Sequence, residues 1–210
     1  VYFIDFYKSN FFIRAKQAKV AIFTTPCRIK NLSLRLKQSL VNDMKYTSYS
    51  YPSGRAEVAA FVVTGGVTEY HVMIHATDPK QTYREQMNVV LDAYAALLKK
   101  ELSGAVAVFK RYFLSDAANQ AELLLAATAE SSDCALSVVE QPPLDGTKIA
   151  LWAYLQTDVQ TRVLPNGLYE VKHGVYRQLW MGGSFNRAAN SEYQMRLLLN
   201  DYAMQLMEEG

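Results

Sequence analysis

The 210-residue chain has only two cysteines, Cys27 and Cys134, and only three histidines. Cysteines this sparse and far apart do not make a disulfide framework, and they point to a reducing, cytoplasmic compartment. No apolar run approaches ~18 residues, so no transmembrane helix is expected. Strong charge of one sign is also missing, since the net charge is only +2. That total conceals a break. Residues 1–43 hold eight Lys/Arg against two Asp and contain no Gly and no Glu, whereas residues 44–210 hold fourteen against eighteen acidic residues. A mildly acidic body gives no reason to expect a nucleic-acid surface. For residues 1–43 two readings stand: a basic arm for membrane or nucleic acid, and a segment upstream of a natural start at Met44. The second is preferred, so residues 1–43 are expected to lie outside the fold. Half of the residues are hydrophobic and a fifth charged, as a globular core requires.

Thr82–Leu102 carries the clearest pattern. Tyr83, Met87, Val90, Leu91, Tyr94, Leu97, Leu98 and Leu102 fall on one helical stripe. Asp78-Pro79 offers a start, Thr82-x-x-Glu85 reads as a capping box, and Ser103-Gly104 closes the helix. The stretch recurs 108 positions later: residues 86–101 (QMNVVLDAYAALLKKE) and 194–209 (QMRLLLNDYAMQLMEE) agree at seven of sixteen positions. A period of that size is domain-sized, so one module (44–172) followed by the truncated opening of a second (173–210) is expected.

Around the helix, Arg55–Thr64 and Glu69–Ala76 are predicted as a strand hairpin. Ala105–Leu114 is apolar enough for a central strand. Ser115-Asp116 starts a second helix over about 117–129, and Ala135–Glu140 and Lys148–Gln156 flank the turn Pro142–Gly146. Asp158–Leu164 and Leu168–Lys172 are joined by Pro165-Asn166-Gly167, a strong hairpin signal. Val175–Met181 precedes a last helix, Ser191–Glu208, whose capping box is read at Ser191-x-x-Gln194. Tyr46–Tyr51 is short and aromatic and is left unassigned. The pattern β-β-α-β-α-β-β predicts an α+β fold, a mixed sheet with two helices on one face. Leu151, Trp152, Val106 and Val108 offer apolar side chains on both parities of their strands, so the other face needs a cover. An oligomer interface is the expected one, with Val108 and Phe109 on opposite parities.

EQMNVVLDAYAALL, FKRYFLSDAANQAELL and VVEQPPLDGTKIALWAYL, in this order, resemble the RidA/YjgF family of enamine/imine deaminases (endoribonuclease L-PSP-like), here as a tandem member. The likeness covers 55–156 and, for the front of a second copy, 175–209. It implies a chorismate-mutase-like fold, a homotrimer with ligand clefts between subunits, and no cofactor. It also implies an arginine that clamps a substrate carboxylate and a glutamate that positions water. Those fall at Ala135 or Leu136 and at Ala150 or Trp152, which can do neither. The function expected is therefore a small-molecule-binding or structural module without deaminase activity. The alternative is the enzyme half of a tandem hydrolase or lyase acting on enamine/imine or chorismate-like carboxylates. A ribonuclease, suggested by older naming of the family, is disfavoured by the acidic body.

The candidate ligand-binding residues are Arg111, Ser137 and Trp152. Arg111 interrupts an apolar strand and either binds an anion, a small carboxylate above all, or pairs with an acidic neighbour. Trp152 either fills a degenerate cleft or stacks on a ligand. His71 and His75 share a strand face without a third ligand at metal spacing, His173 stands alone, and no metal site is predicted. Cys134 reads as a partly buried thiol rather than a nucleophile. Tyr94 and Tyr202 read as packing residues of the repeated helix.

Overall fold

A two-residue loop, Pro52-Ser53, turns strand β1 (Asp43–Tyr51) into β2 (Gly54–Val62), and β3 (Glu69–Ala76) returns antiparallel to β2. The structure is a computed structural model that describes residues 43–62, 66–129, 134–174, 176–187 and 190–209, all within the unit Leu40–Gly210. The expectation for residues 1–43 lies outside the described residues, apart from Asp43, which already opens β1. Cys27 and Gly65 also lie outside them.

Helix α1 (Tyr83–Lys100) follows β3. Its N-cap is Thr82, with Glu85 completing the box, while the Asp78 carboxylate instead accepts from the Lys80 amide in the turn ahead of it. β4 (Val106–Leu114), α2 (Ala117–Thr128, capped by Asp116), β5 (Ala135–Glu140) and β6 (Ile149–Gln156) complete a six-stranded sheet in the order β1-β2-β3-β6-β4-β5. Only β4 and β5 run parallel, so the α+β, mixed-sheet expectation holds at that level. Both helices cover one face. There Ala56, Val58, Val72, Ile74, Tyr112, Leu114, Leu151, Ala153 and Leu155 meet Met87, Val90, Ala93, Leu97 and Leu124 in one apolar cluster. Gln86, wholly buried, ties the layers: its amide donates to the Asp78 and Gln81 carbonyls at 3.1 and 3.2 Å and accepts from the Lys148 amide at 2.7 Å.

The other face is partly covered by the chain itself. β7 (Gln160–Val163), β8 (Tyr169–His173) and β9 (Tyr176–Trp180) form a separate antiparallel sheet. In the β7–β8 turn Gly167 takes φ +85°, and its amide donates to the Leu164 carbonyl at 2.9 Å. Val171, Tyr169 and Trp180 pack on Val108, Phe109, Ala135 and Tyr154 of the large sheet. The chain then passes the edge of β5 so closely that a Cβ on Gly182 would lie 2.5 Å from the Leu136 backbone, which explains glycine there. Helix α3 (Ser191–Glu208) closes the described residues.

Three expectations change. A bulge in β4 between Ala107 and Phe109 turns Val108 and Phe109 into the same cluster, because an inserted residue breaks strict alternation. The cap of α3 is Asn190, whose carboxamide accepts from the amides of Glu192 and Tyr193 at 2.9 and 3.2 Å, one residue before the box read at Ser191. The division expected between residues 172 and 173 falls inside β8.

Candidate functional site

Cross-strand register decides which side chains of the face opposite the helices can act together. Arg111 lies directly opposite Ser137 on β5 and opposite Trp152 on β6, and Trp152 lies opposite Met73 on β3. The three candidates named from the sequence therefore form one row, Ser137–Arg111–Trp152. Side chains so paired stand ~5 Å apart. All three are half-buried. The guanidinium of Arg111 lies 5.4 Å from the centre of the Phe109 ring, which orients a permanent cation over an apolar floor.

The next row, Ala135–Phe109–Tyr154–His71, is aromatic and lies partly beneath the small sheet. Trp180 covers it, with ring centres 5.9 Å from Phe109 and 5.6 Å from Tyr154. Exposed His71 stacks on Tyr154 at 5.0 Å and on Trp152 at 5.8 Å. The Tyr154 phenol accepts from the Gln156 amide at 2.7 Å, and burial pushes its pKa well above the ordinary tyrosine value. The Arg111 row thus sits where the cover ends and the open sheet begins.

On the far side of that row, His75 lies opposite Ala150 on β6 and Arg55 on β2. Its Nδ1 is 3.0 Å from the Asp145 carboxylate, which also accepts from the Thr147 amide at 3.0 Å and the Thr147 hydroxyl at 2.6 Å. Burial pushes the Asp145 carboxyl up, but the Thr147 hydrogen bonds and the neighbouring His75 outweigh it, leaving the group below the usual aspartate value. The carboxylate accepts from Nδ1–H and so orients the ring, with Nε2 as its other nitrogen. Nε2 is enclosed and has no hydrogen-bond partner among the described residues. Sequence reasoning placed His75 on one strand face with His71 but missed Asp145, seventy positions away. The available signal was Asp145-x-Thr147, a carboxylate two residues before a hydroxyl in a turn.

Cys134 is buried and Tyr94 packs in the helix-side core, with the Lys110 ammonium 5.2 Å from its ring centre. Neither joins the row. Lys110 itself is buried, on the helix-covered side. The positions where the resemblance expects a clamp arginine and a glutamate hold the buried Ala135 and Ala150 and the half-buried Leu136 and Trp152. Charged or titratable groups stand one strand away instead: Arg111 beside Ser137, and His75 beside Ala150. No group of three or more His, Cys, Asp or Glu among the described residues could hold a metal ion. No described helix is long and apolar enough to cross a membrane. Comparison with family models, curated proteins and solved structures finds no match.

The chemistry on offer is narrow. A guanidinium presents paired N–H donors matched to a carboxylate, the Trp152 indole offers a stacking surface, and the Ser137 hydroxyl donates or accepts. A planar or unsaturated small carboxylate fits that set.

Proposed function

We propose that this chain is a small-carboxylate-binding module of a RidA-like tandem protein, with Arg111 gripping the carboxylate, Trp152 stacking on its planar body and Ser137 fixing its orientation. One observation carries this reading: Arg111, Ser137 and Trp152 fall in one cross-strand row at the edge of the β7–β9 cover. The order β-β-β-α, met first in β1–β3 with α1 and again in β7–β9 with α3, supports the tandem reading. So does the equal length of the two helices, 18 residues each. The two helices on one face of a mixed sheet support the chorismate-mutase-like architecture. A cytoplasmic location completes the proposal. Turnover of enamines is absent from it, because Ala135 or Leu136 and Ala150 or Trp152 stand where the deaminase arginine and glutamate are expected.

Calorimetric titration of the whole chain with benzoate tests the reading. Saturable binding is expected, with Arg111→Met weakening it about tenfold or more, the worth of a charge-assisted pair. Equal affinity in the variant, or no binding by the parent, contradicts it.

The His75–Asp145 pair favours a second reading, in which the chain is the enzyme half of a hydrolase or lyase for enamine/imine or chorismate-like carboxylates. His75, oriented by Asp145, is then the candidate proton acceptor. Turnover that survives His75→Gln unchanged excludes that role.

A further inference from the structure

The two 18-residue helices differ most on the side that faces away from their own sheets. α3 packs on the small sheet through Tyr202, whose hydroxyl donates to the Leu179 carbonyl at 3.4 Å. Asn166 and Arg177 hold its last turn, by way of the Gln205 carbonyl and Glu209. Opposite that contact Tyr193, Leu197, Asn200, Met204 and Met207 recur at steps of four and three. This is the spacing of the seam of a two-stranded coiled coil. Tyr193, Met204 and Met207 are 53, 57 and 79 % exposed. The positions of α1 that correspond, 108 earlier, are Glu85, Val89, Asp92, Ala96 and Lys99, and there the three acidic or basic residues stand in solvent as an ordinary outer helix face does. Leu197 is half-buried, but packing against the small sheet does not account for the exposed Tyr193, Met204 and Met207.

We infer that this stripe is a docking surface for α3 of a second copy of the chain, the two helices lying parallel. Charge selects both the partner and the direction. With Leu197 and Met204 at one seam position and Tyr193, Asn200 and Met207 at the other, Arg196 and Asp201 flank the seam on opposite sides. In a parallel pair, Arg196 of one copy faces Asp201 of the other, twice by symmetry. In an antiparallel pair Asp201 would face Asp201. Among the described residues Arg196 pairs with the exposed Glu192, at 3.6 Å.

Sedimentation of the whole chain over a range of micromolar concentrations tests the inference. A reversible monomer–dimer equilibrium is expected. Met204→Glu, at a residue exposed in the free chain, is expected to leave the circular dichroism unchanged and abolish the dimer. Arg196→Asp alone is expected to weaken association about tenfold, and the double variant Arg196→Asp/Asp201→Arg to restore it. A parent chain that stays monomeric, an assembly indifferent to Met204→Glu, or a double variant no better than the single one overturns the inference. An oligomer built on the large sheet survives all of these variants and so gives one of those contradicting results.

Discussion

The two faces of the six-stranded sheet are made by the same strands from alternate residues, yet they obey different rules. Toward the helices, Ala56, Val58, Val72, Ile74, Leu151 and Leu155 are apolar, buried and met by apolar partners. Burial explains each of them. Away from the helices the same strands carry Arg111, Ser137, Trp152, His71 and His75, half-buried or exposed, and an aromatic patch beneath the small sheet. Packing explains the covered aromatic row but not an arginine, a serine and a tryptophan aligned at its rim. The proposed ligand-binding role rests on that difference. A fold needs only one such dry face to be stable, and the other is free to carry chemistry.

Substitutions can break this contrast. The largest expected effect is on the dry face: Ile74→Asp buries an unpaired carboxylate, costs several kcal/mol and abolishes cooperative unfolding. Soluble, folded Ile74→Asp protein would contradict the core assignment. Because the bulge sends both side chains into one cluster, Val108→Asp and Phe109→Asp are expected to share a phenotype. Each should loosen the small sheet from the large one, seen as changed Trp180 fluorescence, while the α1 side stays protected from amide exchange. Opposite phenotypes for the two would restore strict alternation. Leu151→Ala should cost roughly 2–5 kcal/mol and Trp152→Ala, one residue along on the open face, roughly 1 kcal/mol, measured by urea unfolding.

The smallest expected effect is that of acid. The Asp145 carboxyl is held below its ordinary value, so its contribution is present above the unfolded value and lost as pH falls through the folded one. Acidification below the ordinary aspartate range should therefore release the 142–147 turn from β3. Asp145→Asn should flatten that part of the stability profile.

Much of this was legible in the sequence because local rules govern it. α1 begins at its capping box, α2 at Asp116, and β3 and β5 run as their alternation predicts. β1 was not legible. It is an edge strand whose Met44 and Tyr46 are exposed, so no buried parity marks it. The bulge in β4 was hidden as well, since alternation cannot count an extra residue. Among the site residues, Arg111 was conspicuous as a charge in an apolar strand, and Trp152 drew notice by its place in the family pattern. Their alignment with Ser137 depends on the pairing of β4 with both β5 and β6, a long-range register that no single segment encodes. The His75–Asp145 contact likewise joins a strand end to a distant turn.

The claim that the open face binds a small carboxylate is tested most directly by NMR of the isotope-labelled chain titrated with benzoate. The expected result is a saturable shift of the Arg111 Nε–H and Trp152 Nε1–H signals and the Ser137 amide, with the amides of α1 and α3 unmoved. Shifts confined to α3 or the outer face of α1, or no shift at millimolar benzoate, would contradict it.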